Sequence, residues 1–244
     1  FRHLLRDSDA TVLLTQQRLL KRRFVDDLLG MCPSLDSTEP ARHPDFPFLD
    51  YAVAVGPEPE RGRVAGWQRF IDSGHGVAEE VVDARAQQTS QGDHALVIYS
   101  SGTTDHPKGM LHNHRAPTLQ FWLQAQIFGR HEQTRMWTAL PIFWTAGMNT
   151  AMGATFAAGG CWVMQESFEP GAALRLMARE RVTEPYTLPH QTAALEEHPD
   201  WLTTDLSALR CVFGKSGFAR HPTVTGDTTV SYTHLRAHET GRNL

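Results

Sequence analysis

The sequence predicts an α/β protein with largely parallel sheet, and three observations carry that reading. Short apolar runs of strand length alternate with amphipathic stretches along the chain, the pattern of β-strands linked by helical crossovers. One of those runs, His94-Ala-Leu-Val-Ile-Tyr99, empties into a loop of hydroxyl residues and glycine. The 244 residues are 41% hydrophobic and 20% charged, with a formal net charge of -4, which is an ordinary globular composition and enough chain to bury a sizeable core. That mild acidity argues against nucleic acid as the main partner.

Taken in order, Leu4 and Leu5 suit one face of a short helix, and Thr11 to Thr15 suit a buried strand. Leu19, Leu20, Phe24 and Leu28 recur at helical spacing, so Lys21-Arg22-Arg23 reads as the solvated face of an amphipathic helix. Residues 33–47 and 56–66 are rich in Pro, Gly and charge and read as surface loops on either side of a strand at Leu49 to Val55. Further strands are predicted at Ala95 to Tyr99, Arg135 to Ala139, Cys161 to Met164, Pro185 to Thr187 and Arg210 to Phe213. The apolar stretch Met136 to Met164 has the hydrophobicity of a membrane span. Pro141, Asn149, Gly153, Gly159 and Gly160 interrupt it, which favours strand, loop, buried helix and strand.

The first residues hold Arg2, Arg6 and Asp7 and no apolar run of signal-peptide length. Three widely spaced cysteines, Cys32, Cys161 and Cys211, suit a reducing cytoplasm better than a disulfide framework. His112-Asn-His114 has no second pair at ligand spacing, so a structural zinc site is not expected. No internal repeat or extended low-complexity tract is present.

The string Tyr99 to Gly109, YSSGTTDHPKG, carries the chemistry. Gly102 has no side chain to block an approaching anion. Ser100, Ser101, Thr103 and Thr104 add hydroxyls able to donate to phosphate oxygens or to take a site on a divalent ion. Pro107 stiffens the exit, and Lys108 supplies a compact positive charge. A Walker-type loop is excluded, because Pro107 precedes Lys108 and Gly109 follows it. The alternative for a bare SGTT is a hydroxyl-rich surface turn.

The whole string resembles the phosphate-binding signature of the adenylate-forming superfamily, which includes acyl-CoA synthetases, aryl-CoA ligases, luciferases and peptide-synthetase adenylation domains. Asp105 departs from the glycine usual there, and its carboxylate repels a bound triphosphate unless it turns away or meets a metal ion. Other segments extend the resemblance through most of the chain. Phe1 to Thr15, with DSDATVLLT, resembles the family's helix-then-strand unit, and Leu140-Pro-Ile-Phe-Trp-Thr-Ala-Gly-Met148 resembles the segment bordering the carboxylate-substrate pocket. Arg181 to Pro189 and Asp205 to Arg210 also look like family segments, the latter leading into Cys211-Val-Phe-Gly-Lys-Ser-Gly217.

This resemblance implies a partial N-terminal domain of the adenylate-forming fold over residues 1–229, built of largely parallel sheets flanked by helices. It implies Ser100, Ser101, Gly102, Thr103, Thr104 and Lys108 around the β- and γ-phosphates of ATP, with Thr104 beside Mg²⁺. It places Gly214 and Ser216 against the adenine, where the alternative is a plain turn. Trp144 and Gly147 would line the pocket for an apolar acyl or aryl group, the alternative for Trp144 being core packing. The implied reaction activates a carboxylic acid with ATP to an acyl-adenylate and passes the acyl group to coenzyme A in the cytoplasm, with no nucleic acid partner and no membrane span. Rival readings are a carrier-protein adenylation domain and a non-catalytic nucleotide-binding protein.

The resemblance begins inside the family's N-terminal domain. The sequence holds no Tyr-Gly-x-Thr-Glu-like motif, no later ribose-binding aspartate and no C-terminal domain with the family's catalytic lysine. No catalytic residue is therefore assigned here, and the chain by itself is expected to be inactive. Thr225-Gly226-Asp227 mimics the ribose-binding triplet but follows the phosphate loop too closely to serve as one. Val230 to Thr240, VSYTHLRAHET, resembles one reading frame of a transposon-type sequencing adaptor, so residues 230–244 are expected to be foreign to the enzyme.

Overall fold

The computed structural model describes residues 2–39, 42–57, 59–100, 106–210, 212 and 216–225. The chain divides into two units, Phe1–His112 and Asn113–Leu244.

In the first unit, helix α1 (Arg2–Asp7) leads into β1 (Val12–Gln16), and a small hairpin, β2 (Arg18–Leu19) and β3 (Arg22–Arg23), precedes α2 (Phe24–Met31). Strands β4 (Tyr51–Val55) and β5 (Val64–Gly66) follow, then α3 (Trp67–Ser73), α4 (Glu79–Gln88), β6 (His94–Tyr99) and β7 (Gly109–Asn113). Strands β1, β4 and β5 form one parallel sheet in that order, with Val12 opposite Tyr51 and Ala52 opposite Val64. Its core is the apolar face of α2, where Val25, Leu28, Leu29 and Cys32 recur at helical spacing and pack with Leu35, Ala52 and Val64.

Two expectations are corrected in this unit. The basic run Lys21-Arg22-Arg23 is not a helix face. Leu20 sits at φ 54° in the hairpin turn and is 91% exposed, so its helical spacing to Phe24 is coincidental. The helix starts at Phe24 because Asp26 and Asp27 lie in its first turn, where acids favour the positive helix end, and they pair with Arg23 and Arg22. Within the expected loop 56–66, Val64–Gly66 forms the third parallel strand. Three residues are too few to show a period, and tertiary bonds define this strand: the Arg63 N–H donates to Leu35 O (2.7 Å), its guanidinium donates to Asp50 O (2.7 Å), and Val64 is buried.

The second unit contains α5 (Arg115–Ile127), β8 (Arg135–Thr138), a π-helical run Ala146–Gly153 continued by α6 (Ala154–Ala157), β9 (Cys161–Met164), α7 (Pro170–Arg179), β10 (Glu184–Tyr186) and α8 (Pro189–Glu196). Its sheet is also parallel, in the order β10-β8-β9. Trp137 at the centre of β8 is fully buried among Leu174, Met177, Val182, Leu195 and Phe218. The stretch Met136 to Met164 folds as strand, loop, helical run and strand, and among the described residues no helix is long and apolar enough to cross a membrane. Val212 is buried, while Cys211 and Phe213 lie outside the described residues.

Glu169 starts α7. Its carboxylate accepts the N–H groups of Gly171 and Ala172, which in the first turn have no carbonyl partner within the helix, while Pro170 at the first helical position has no N–H to satisfy. Those two bonds hold the Glu169 pKa below its ordinary value. Inside the unit, Arg130 forms a forked pair with Glu184 (2.8 and 2.7 Å), the side chains 1% and 7% exposed, and its remaining nitrogen donates to the Thr150 carbonyl.

Candidate functional site

Strand β6 delivers the chain into the hydroxyl-rich loop, and β7 takes it away. The neck of that loop is closed by two reciprocal bonds: the Ser100 N–H donates to the Lys108 carbonyl (3.0 Å) and the Lys108 N–H donates to Ser100 Oγ (3.3 Å). Ser100 and Lys108 are therefore brought together, with the Lys108 side chain exposed at the mouth. Ser101, Gly102, Thr103, Thr104 and Asp105 lie outside the described residues.

Helix α1 braces the exit. His3 Nε2 lies 2.9 Å from the Pro107 carbonyl, and the His3 ring stacks on His106 with centroids 4.8 Å apart. The Tyr99 hydroxyl donates to Asp7 Oδ2 (2.9 Å). Partial burial, then the bond to Asp7 and its charge, raise the Tyr99 pKa, so the phenol stays a donor. Gly109 leaves the space this packing needs. A Cβ there would lie 2.9 Å from Val97 Cγ1, 3.1 Å from Tyr99 Cε1 and 3.2 Å from Asp7 Oδ2. Spacing reveals none of these supports, because His3 and Asp7 are 104 and 92 residues from their partners.

In the second unit, β8 ends at Thr138, whose hydroxyl donates to Tyr186 O (2.7 Å) and accepts the Leu140 N–H (3.1 Å), fixing the turn that follows. The Pro141 carbonyl accepts from Trp144 N (3.1 Å), and Trp144 O accepts from Met148 N (2.8 Å). Gly147 is buried directly beneath this turn; a Cβ would lie 2.2 Å from Pro141 O. Trp144 is 48% exposed and Phe143 74%, their rings meeting edge to face at 6.1 Å and 89°. Trp144 is therefore not part of the core of the described residues, which Trp137 fills instead. The two rings present an aromatic wall able to bury an apolar acyl or aryl group.

Ser216 lines a different feature, a cavity of about 460 Å³ with Thr187, Pro189, Thr192, Glu196 and Gly217. It opens just beyond β10, whereas the Trp144 turn follows β8. Both features sit past the carboxyl ends of parallel strands, where open α/β sheets bind their ligands. Gly214 lies outside the described residues.

Mg²⁺ dehydrates reluctantly and is held through phosphate oxygens with one or two protein ligands, so a loop offering hydroxyls and one cation fits a metal that arrives with a polyphosphate. Among the described residues no three His, Cys, Asp or Glu converge to hold a metal by themselves.

Residues 1–229 match the family model described as AMP-binding enzyme. The chain belongs to that family. A feruloyl-CoA synthase from Amycolatopsis sp. is 32% identical over 121 residues, covering 48% of this chain and 24% of the relative. Gramicidin S synthase 2 from Brevibacillus brevis is 28% identical over 218 residues, covering 86% of this chain and 4% of that protein. Among solved structures, the anthranilate CoA ligase AuaEII in complex with anthranoyl-AMP superposes with a TM-score of 0.68 at 25% identity, covering 86% of this chain and 37% of that one. The chain thus spans well under half the length of these AMP-binding relatives.

Proposed function

We propose that the intact protein is an AMP-forming acid–thiol ligase. The carboxylate of the substrate attacks the α-phosphorus of ATP, pyrophosphate leaves, and the acyl-adenylate passes its acyl group to the thiol of coenzyme A. The observation that carries the reading is the loop neck, Ser100 and Lys108 locked by reciprocal bonds between β6 and β7, in a chain of the AMP-binding family.

In this proposal Ser100, Ser101, Gly102, Thr103, Thr104 and Lys108 hold the phosphates that depart as pyrophosphate, chiefly by positioning and charge neutralisation. Thr104 is the candidate Mg²⁺ neighbour, the ion supplying further neutralisation of phosphate charge when bound. Gly214 and Ser216 border the adenine. Trp144 and Phe143 form the acyl wall, and Gly147 lets the wall's turn close. The family's lysine in a C-terminal domain would supply the catalytic cation that these residues lack. Among the described residues Cys32 and Cys161 are free thiols, and a cytoplasmic setting is part of this proposal.

The test is acid-dependent exchange of labelled pyrophosphate into ATP by the intact protein across a panel of aliphatic and aryl carboxylates. Exchange with one acid is expected, and Lys108→Ala should lower it by about 1–3 kcal/mol, roughly 5- to 150-fold. A folded protein that exchanges with no acid, or a Lys108→Ala variant that exchanges as well as the wild type, overturns the proposal. The match to gramicidin S synthase 2 favours a second reading, a domain that loads a carrier protein. Acyl transfer to free coenzyme A by the intact protein decides against it.

A further inference from the structure

A polar cavity of the second unit is lined by neither the Trp144 turn nor the residues around Ser216. It has a volume of about 680 Å³, and its lining includes Arg130, Arg135, Arg179, Arg181 and Arg210 with only Glu180 and Glu184 as acids, leaving three positive charges in excess. Both carboxylates are already engaged. Glu184 is saturated by Arg130, and Glu180 is shared by Arg135 (2.9 Å) and Arg179 (3.0 Å). Arg181 and Arg210 form no ion pair among the described residues; Asp205 feels Arg181 through space, and Arg210 donates Nη1 to the Ser207 and Leu209 carbonyls (2.6 and 2.8 Å).

The backbone at Arg181 adds an independent observation. Helix α7 ends in a Schellman motif, with Val182 N–H bonded to Met177 O (3.0 Å) and Arg181 N–H bonded to Ala178 O (3.1 Å), so Arg181 takes the left-handed position at φ 48°. Helix α5 ends with the same two bonds and places Gly129 there, at φ 62°. Both residues face the same cavity. An arginine where glycine is easier is strain retained at a site, consistent with a side chain kept for its charge.

We propose that this cavity is a second anion-binding site that takes a polyphosphate group, its lining sharing no residue with the β6–β7 loop. Arg135 opens β8 and Glu184 opens β10, so the cavity lies at the amino ends of the strands whose carboxyl ends carry the Trp144 turn and the Ser216 cavity. Guanidinium groups suit such a ligand because their planar donors engage phosphate oxygens in pairs, and a concave cationic wall concentrates the field.

The experiment is isothermal titration of the intact protein with tripolyphosphate at low salt, in a Lys108→Ala background that weakens the loop site. One site is expected to remain, weakened at least tenfold by Arg181→Ala with Arg210→Ala and by raising the salt, and largely retained by the paired lysine substitutions. Glu180→Gln removes one negative charge while keeping an acceptor for Arg135, and should tighten binding several-fold. Thermal unfolding of each variant monitors folding. ATP binding as tightly as tripolyphosphate supports recognition of the phosphate chain whatever carries it. Loss of all binding on Lys108→Ala, affinity unchanged in a folded double-alanine variant, or binding of ATP without tripolyphosphate overturns the proposal.

Discussion

Replacing Gly147 by alanine puts a methyl carbon 2.2 Å from the Pro141 carbonyl oxygen, 2.8 Å from its carbonyl carbon and 3.2 Å from Leu140 O. All three are backbone atoms, so no side chain can swing aside. Non-bonded carbon contacts settle at about 3.5 Å, and relief therefore needs about 1 Å of movement in the turn that carries Trp144. Overpacking of this kind costs about 1–3 kcal/mol of stability, or roughly 2–12 °C in Tm for a chain of this size. A 1 Å misplacement of a substrate-positioning segment costs about 100-fold in rate. The assay is kcat/KM for pyrophosphate exchange in the intact protein, beside thermal unfolding. Gly30→Ala is the matched control: Gly30 lies in α2 with nothing within 4 Å of its missing Cβ, so the same substitution should stabilise by up to about 1 kcal/mol and leave exchange unchanged. If Gly147→Ala keeps kcat/KM within threefold of wild type, the turn beneath Trp144 does not position substrate.

Glu184→Ala should cost about 3–5 kcal/mol in urea unfolding, because it leaves the Arg130 guanidinium, 1% exposed, without its carboxylate; Arg130→Met with Glu184→Leu should recover most of that loss, and a single-variant cost under 1 kcal/mol refutes the account. Glu169 has its folded pKa depressed, so its stabilisation is present above the ordinary value of 4.5 and is lost as pH falls through the lower folded value. The Tm advantage of wild type over Glu169→Gln should therefore shrink below that pH, and parallel Tm-versus-pH curves would argue against the cap. Tyr99→Phe removes the donor to Asp7 and should cost about 0.5–1.5 kcal/mol. Faster amide exchange in α1 is the expected signature, and unchanged exchange there would show that the bond does not brace the loop.

Much of the fold was legible because the signals are local. The apolar run Cys161 to Met164 is strand β9 residue for residue, and the run His94 to Tyr99 is strand β6. What failed was also local in cause. Leu20 lies four residues before Phe24 and mimicked a helical step, while the exposed turn and the Asp26 and Asp27 pairs set the true helix start. Val64–Gly66 is too short for periodicity, and only the neighbouring β4 makes it a strand.

By itself the sequence determined the alternating strands and helices, since these depend on residue types a few positions apart. Tertiary structure alone decided that His3 and Asp7 brace Pro107 and Tyr99, that Trp144 faces outward while Trp137 fills the core, and that five arginines share one cavity. Those outcomes arise where distant segments must satisfy each other's polar groups and volumes at once, a constraint that exists only after the chain has closed on itself.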